Sequence, residues 1–167
     1  MENVVDAARL VRISPALSSA IGIALVAIYA FGSGALMSNN SRIWYNNLNA
    51  PSWQPPDFIF GIIWPYNFIL LGVSAYTVAH RLSTALTITF LAVFATSIAC
   101  ALNWAYQFYH PHNLNAAAIS LALVALLTIP LLVITFRASL WTGIALIPYQ
   151  LWVTTATVLS FSYSKLN

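Results

Sequence analysis

Charged side chains are scarce in this sequence: only nine of its 167 residues carry a formal charge, six basic and three acidic. The acids Glu2, Asp6 and Asp57 are too few and too scattered for paired acid–base catalysis. A soluble globular domain has about 25% charged residues, whereas this chain has 5%, with 60% hydrophobic residues. A single domain of this size cannot bury so much apolar surface, so we expect the chain to lie in a lipid bilayer.

Other absences narrow the function further. The apolar stretches carry no charge near their middle, which disfavours a proton relay or an ion-coupled transporter. Cysteine occurs once, at Cys100, so no intramolecular disulfide can form. The net charge of +3 is spread over loops and does not form a nucleic-acid-binding patch. His110 and His112 flank a proline without an evident third ligand, so we expect no metal site.

Long uncharged stretches predict membrane-spanning helices. The 55 residues from 82 to 136 are too long for one span of about 20 residues but fit two, with a break at the polar segment 109–115. The same reasoning along the chain predicts an all-α membrane protein, a single domain over residues 1–167 with five transmembrane helices. Their expected bounds are 14–38, 57–79, 83–107, 115–136 and 139–162. Because these runs are continuous rather than alternating, we do not expect a transmembrane β-barrel.

The basic residues suggest an orientation. Residues on one side of a five-span bundle would include Arg9, Arg12, Arg81 and Arg137, against Arg42 and Lys165 on the other. The positive-inside rule then favours a cytoplasmic N-terminus. The short segments outside the spans favour a bacterial membrane.

The connection between the first two spans, residues 39–56, is rich in Trp, Tyr and Pro. Proline pre-sets φ and reduces the entropy lost on ordering, so this segment could form a shaped lid over one end of the bundle. It could instead be an interfacial aromatic belt, with Trp44, Tyr45 and Trp53 at headgroup level. The sequence leaves both interpretations open.

Aromatic residues recur at helical spacing on two of the predicted spans. One face of the second span carries Trp64, Phe68, Gly72 and Tyr76. One face of the fifth span carries Tyr149, Trp152, Ala156, Ser160 and Tyr163. Such stripes either pack the bundle or line a pocket for a flat hydrophobic ligand.

The third span has two distinct faces. Its polar stripe consists of Thr96, Cys100, Asn103 and Gln107. We expect this stripe to face the bundle interior, because an Asn in lipid is costly without a partner. The opposite face carries a ridge of small residues, Ser97, Ala101 and Ala105. This ridge is either a homodimer surface or a packing surface within the monomer.

Three segments of the chain resemble the translocator protein family, also called TspO or tryptophan-rich sensory proteins. They are WYNNLNAPSWQPPDFIFGIIW at 44–64, LNWAY at 102–106 and PYQLWVTTAT at 148–157. The resemblance implies a homodimer of five-helix bundles, each with a pocket under the first loop. It also implies that the ligands are tetrapyrroles such as protoporphyrin IX or haem, or other flat hydrophobic molecules such as sterols, and that no cofactor is required.

The resemblance also assigns residues. Tyr45 matches the family's loop tyrosine, Asn103 its third-span asparagine, and Ala156 a small position that affects ligand binding. Trp64 and Trp152 match two pocket tryptophans, which support light-dependent porphyrin breakdown in some bacterial members. They would be the catalytic pair if this chain is an enzyme. The predicted ligand-binding set has four more members: Trp53, Phe68, Tyr106 and Tyr149.

Some positions depart from the family pattern. Phe68 replaces a common Tyr, Tyr106 a frequent Trp, and Ser120 an acidic residue of animal members. These changes bear on ligand preference rather than on the fold. The leading hypothesis is a membrane receptor or carrier for tetrapyrroles. The alternatives are a light-dependent porphyrin-degrading enzyme and a structural or partner-binding membrane protein.

Overall fold

The computed structural model describes residues 13–167, and this part of the chain consists of helices without β-strands. The bounds are α1 Pro15–Ala35, α2 Asn39–Asn46, α3 Asp57–Arg81, α4 Thr84–Tyr109, α5 Leu114–Ala138 and α6 Leu140–Leu166. All but the eight-residue α2 are long and apolar enough to cross a membrane, which confirms the predicted five-span, all-α membrane protein. Arg9 and Arg12, which contribute to the orientation prediction, lie outside the described residues.

Capping residues in the sequence set where the spans begin. Ser14, Ser83 and Ser139 each accept a hydrogen bond from the backbone N–H three residues later, at 3.2, 3.4 and 3.3 Å. Asn113 does the same for α5, at 3.1 Å. These bonds satisfy N–H groups that a helix leaves unpaired in its first turn. Because Ser139 alone separates α5 from α6, these two helices lie side by side.

The bundle core lies where α5 packs against both α4 and α6, with α1 against α3 and α4. Its largest fully buried side chains include Phe90, Phe94 and Leu131. The contact between α1 and α3 is very close at Gly22, where an added Cβ atom would lie 2.4 Å from the Cβ of Ala75. Small residues allow helix backbones to approach in this way.

The small-residue ridge of α4 lies inside the monomer. Ser97, Ala101 and Ala105 are 2%, 2% and 0% exposed. Ser97 lies beside the hydroxyl of Tyr149 on α6, and Ala101 belongs to the main hydrophobic core. The prediction of a homodimer surface at these three residues is therefore wrong. Their small size serves close packing of α4 within the bundle, which was the alternative.

The predicted inward orientation of the polar stripe is wrong for Thr96 and Asn103, which are exposed on the outside of the monomer. Both find partners nearby: Thr96 Oγ1 donates to the Ala92 carbonyl at 2.9 Å, and Asn103 Nδ2 donates to Ser120 Oγ at 2.7 Å. Because a bond within α4 satisfies the Thr96 hydroxyl and a bond to α5 satisfies the Asn103 amide, neither side chain needs burial in the bundle. The other stripe residues are partly buried: Cys100 and Gln107.

Candidate functional site

A cavity of about 670 Å³ lies between the 39–56 connection and the ends of the spans. This volume is within the range of roughly 300–1,000 Å³ found for small-molecule sites. Every described helix contributes to its wall. The wall is mainly aromatic, with rings from Phe60, Trp64, Phe68, Trp104, Phe108 and Trp152.

The aromatic stripes of α3 and α6 meet in this wall. Trp64 stacks on Phe68 at a centroid distance of 5.6 Å and an interplanar angle of 25°. Trp152 meets Trp64 edge-on at 6.5 Å and Phe60 edge-on at 5.1 Å. The buried ring of Tyr29 supports both Trp64 and Phe68 edge-on, at 5.9 and 5.3 Å. Mutual packing therefore holds these rings in one arrangement.

Helix α4 adds a pair of rings that the sequence analysis did not select. Trp104 and Phe108 are one turn apart, with centroids separated by 5.7 Å. The Trp104 indole N–H donates to Ser160 Oγ on α6 at 3.3 Å. The neighbouring Asn103 was the predicted binding residue, although the four-residue spacing of Trp104 and Phe108 indicates a shared helix face.

The connection 39–56, which we call the lid, is bound to α6 on one side. The Tyr163 hydroxyl is hydrogen-bonded to the side-chain carbonyl of Gln54 and lies 3.2 Å from the Tyr45 hydroxyl. The backbone N–H of Asn49 donates to Asn167 Oδ1 at 2.8 Å, and Asn167 Nδ2 donates to the Asn49 carbonyl at 3.2 Å. These bonds join lid and bundle through side chains far apart in sequence.

On its other side the lid contacts the end of α4 and the loop that follows it. The Trp44 ring stacks on His112 at 3.8 Å and 11°, and Ser41 Oγ donates to the Tyr109 carbonyl at 3.3 Å. Both lid residues belong to α2, a short helix that the sequence analysis did not predict. Ser38 caps this helix by accepting the Ser41 N–H at 3.1 Å. The lid is thus an ordered cover with contacts on two sides of the cavity.

The structure brings five of the nine predicted ligand-binding residues to the cavity wall: Tyr45, Trp64, Phe68, Trp152 and Ala156. The remaining four lie elsewhere. Asn103 and Tyr106 are exposed on the outer face of α4, because they flank the face that carries Trp104. Tyr149 is 1% exposed within the core, and Trp53 lies outside the cavity against the outer surface of α6.

Clusters of metal-binding groups are absent from the described residues: no three His, Cys, Asp or Glu side chains among residues 13–167 come together. His112 lies in a left-handed turn with φ of 56°, where its ring packs on Trp44. The cavity wall presents aromatic surface and a few polar groups at its rim.

Comparison with known proteins covers nearly the whole described chain. Residues 20–166 match the TspO/MBR family. Protein CrtK of Rhodobacter capsulatus is 32% identical over 139 residues, which are 83% of this chain and 86% of that protein. The tryptophan-rich sensory protein of Cereibacter sphaeroides is 29% identical over 135 residues, 81% of this chain and 82% of the relative. The translocator protein of Homo sapiens is 28% identical over 122 residues, 71% of each chain.

Proposed function

Because the chain belongs to the TspO/MBR family and is a multi-pass integral membrane protein, we propose that it is a receptor or carrier for tetrapyrroles. Protoporphyrin IX and haem would bind in the cavity under the lid. The observation that supports this most directly is the wall in which Trp64 and Trp152 meet at 6.5 Å. The names of two relatives, tryptophan-rich sensory protein and translocator protein, fit a binding or carrying role.

The shape and chemistry of the cavity support a flat, rigid and mostly apolar ligand. Stacked Trp64 and Phe68 offer a broad aromatic face, and Phe60 and Trp152 stand edge-on beside it. Aromatic pairs contribute about 0.5–1.5 kcal/mol beyond the burial of area. A macrocycle can use several such contacts at once, whereas a sterol, the other ligand class for this cavity, gains mainly from burial.

We expect protoporphyrin IX to quench tryptophan fluorescence on titration, and the double variant Trp64→Phe with Trp152→Phe to bind it about tenfold more weakly. Trp141→Phe is the matched control, because Trp141 is 78% exposed at the start of α6. Circular dichroism of each variant checks that the helices are retained. An unchanged affinity in the double variant would show that porphyrin binds elsewhere.

The alternative is an enzymatic role in the same cavity. The short distance between the two indoles favours light-driven electron transfer over other kinds of catalysis. In this role an excited porphyrin takes one electron from Trp64 or Trp152, and dissolved O2 adds across a methine bridge of the reduced ring. One electron then returns to the tryptophan radical cation, so the net change is that the O–O bond and one ring C–C bond break and two C–O bonds form. If so, illumination of the complex yields a distinct product pigment, and Trp152→Phe stops its formation while porphyrin still binds. If the wild type and Trp152→Phe bleach the porphyrin slowly and at the same rate, the receptor or carrier role is the one supported.

We also propose that two copies of the chain associate through the outer face of α4. Exposed small or short polar side chains run along this face: Ala92, Ala95, Thr96, Ala99 and Asn103. Small residues favour close helix association in lipid, and a two-fold dimer uses the same face of both copies.

We expect Ala99→Phe to convert a dimer in detergent into a monomer, as measured by light scattering on a sizing column. Leu126→Phe is the control, because Leu126 is 61% exposed and belongs to a different helix, α5. A dimer that withstands Ala99→Phe would exclude this face as the interface.

A further inference from the structure

Two charged residues stand at the rim of an otherwise uncharged cavity wall. Arg42 belongs to α2 of the lid, and Asp57 begins α3. Asp57 is the only acidic side chain among residues 13–167. The other basic side chains of this range are outside the wall: Arg81, Arg137 and Lys165. The position of the Arg42 guanidinium at the mouth of an apolar cavity is therefore not accounted for by the general surface charge of the protein.

The lid helix turns a row of hydrogen-bond donors toward the cavity. Arg42, Tyr45 and Asn46 all line it, and their spacing of three and four residues places them on one helix face. Tyr109 of α4 also lines the cavity and lies within range of the Arg42 charge. The hydrogen bond from Ser41 to the Tyr109 carbonyl, at 3.3 Å, holds this part of α2 against α4.

These groups are suited to an anion. A guanidinium presents five N–H donors in a planar fork that matches the two oxygens of a carboxylate. Phenol hydroxyls and an amide add further donors beside it. In contrast, the deep part of the cavity is aromatic: Trp64 lies seven residues beyond Asp57, roughly 10 Å along α3 at the helical rise.

We infer that Arg42 is a specificity-determining residue that binds an acidic group on one edge of the ligand. This inference rests on the proposed function, since it assumes a flat apolar molecule in the cavity. The cavity then selects rigid apolar molecules with a carboxylate at one end. The ring body lies against Trp64 and Trp152, and the acid lies at the rim beside Arg42. Asp57, the negative charge on the same cavity wall, opposes any acid that lies near it.

The same anion chemistry is available from the headgroup of an acidic phospholipid, because the rim of the cavity lies at the end of the membrane spans. The two sources differ in a measurable way. If Arg42 binds an acid of the ligand, that acid increases affinity even in a bilayer of phosphatidylcholine alone, where no anionic headgroup is present.

The test compares protoporphyrin IX with its dimethyl ester, which has the same ring but no free acid. Both are titrated against the full chain in phosphatidylcholine nanodiscs, with empty nanodiscs as background. We expect the wild-type protein to bind the acid about tenfold more tightly than the ester, a moderate factor because the rim is partly solvated. Arg42→Gln should remove that preference by lowering the affinity for the acid alone. Asp57→Asn should increase the preference for the acid over the ester.

Arg81→Gln is the control, because Arg81 ends α3 on the opposite side of the span. Equal binding of acid and ester by the wild type, or a preference that survives Arg42→Gln, would overturn the inference and leave the proposed function intact. An equal weakening of acid and ester by Arg42→Gln would also overturn it, since Arg42 would then only position the lid. Binding of neither compound would instead contradict the proposed function.

The titrations are repeated in nanodiscs containing phosphatidylglycerol. The negative surface lowers the affinity for the acid in every variant, so wild type is compared with Arg42→Gln. An equal loss in both supports the inference. A larger loss in the wild type would assign Arg42 to the lipid headgroup and overturn it.

Discussion

Replacing Gly22 with leucine is expected to destabilise the bundle by about 3 kcal/mol, at the upper end of the range for overpacked sites. An added Cβ at Gly22 would already lie 2.4 Å from the Cβ of Ala75. Both residues belong to helices, so the clash can be relieved only by moving α1 away from α3. The measurement is the midpoint of thermal unfolding in detergent, followed by circular dichroism.

Gly61→Leu is the matched control, because no atom apart from its chain neighbours and the adjoining helix backbone lies within 4 Å of the position of its added Cβ. It should leave the midpoint unchanged or raise it slightly, since leucine favours a helix more than glycine does. A double-mutant cycle isolates the contact: Gly22→Ala should destabilise, and Ala75→Gly in the same chain should restore part of the loss. Strictly additive effects would mean that the close approach of these two residues does not limit stability.

Replacing Ala156 with phenylalanine is expected to abolish porphyrin binding, with at least about a hundredfold loss of affinity, while the fold persists. Ala156 lies on α6 one turn after Trp152, and both residues line the cavity. One methylene in an apolar pocket already changes selectivity by about 10–200-fold, and a phenyl ring occupies much more of the cavity. The new ring enters existing empty space, so the unfolding midpoint should hold or rise.

Val158→Phe tests whether the site of the change matters. Val158 is 53% exposed on the outer surface of α6, two residues beyond Ala156. The Val158→Phe variant adds the same ring to the same helix and should not change the fluorescence titration of porphyrin. If Ala156→Phe bound porphyrin as tightly as wild type, the ligand would have to lie outside this cavity.

Much of the site was visible in the sequence because short-range spacing carried it. Trp64 and Phe68 are four residues apart, as are Trp152 and Ala156, so each pair must share a helix face whatever the tertiary structure. The two pairs come together at one cavity once the aromatic faces of α3 and α6 both point into the bundle. Two residues were missed for different reasons. Arg42 lies in a connection whose helix α2 is short and polar, whereas the helical spacing of Trp104 and Phe108 was present in the sequence but Asn103, next to Trp104, was chosen instead.

The two errors on α4 have a common physical cause. In water, the apolar face of a helix identifies its buried side, but lipid is as apolar as a protein interior, so hydrophobicity does not set the rotation of a span. The choice between the face with Ser97 and Ala101 and the face with Asn103 therefore depended on packing and local hydrogen bonds. Small side chains turned inward because they allow close approach, and Asn103 stayed outside with Ser120 as its partner.

The number and approximate bounds of the spans were determined by the sequence alone. Backbone groups in lipid must be paired within a helix or a closed barrel, and long uncharged runs without alternation fit only helices. The rotation of each helix, the course of the lid and the position of Arg42 at the cavity rim were decided only by the tertiary structure. These features depend on contacts such as Tyr163 with Gln54 and Trp44 with His112. Such contacts join residues far apart in sequence, and no local pattern encodes them.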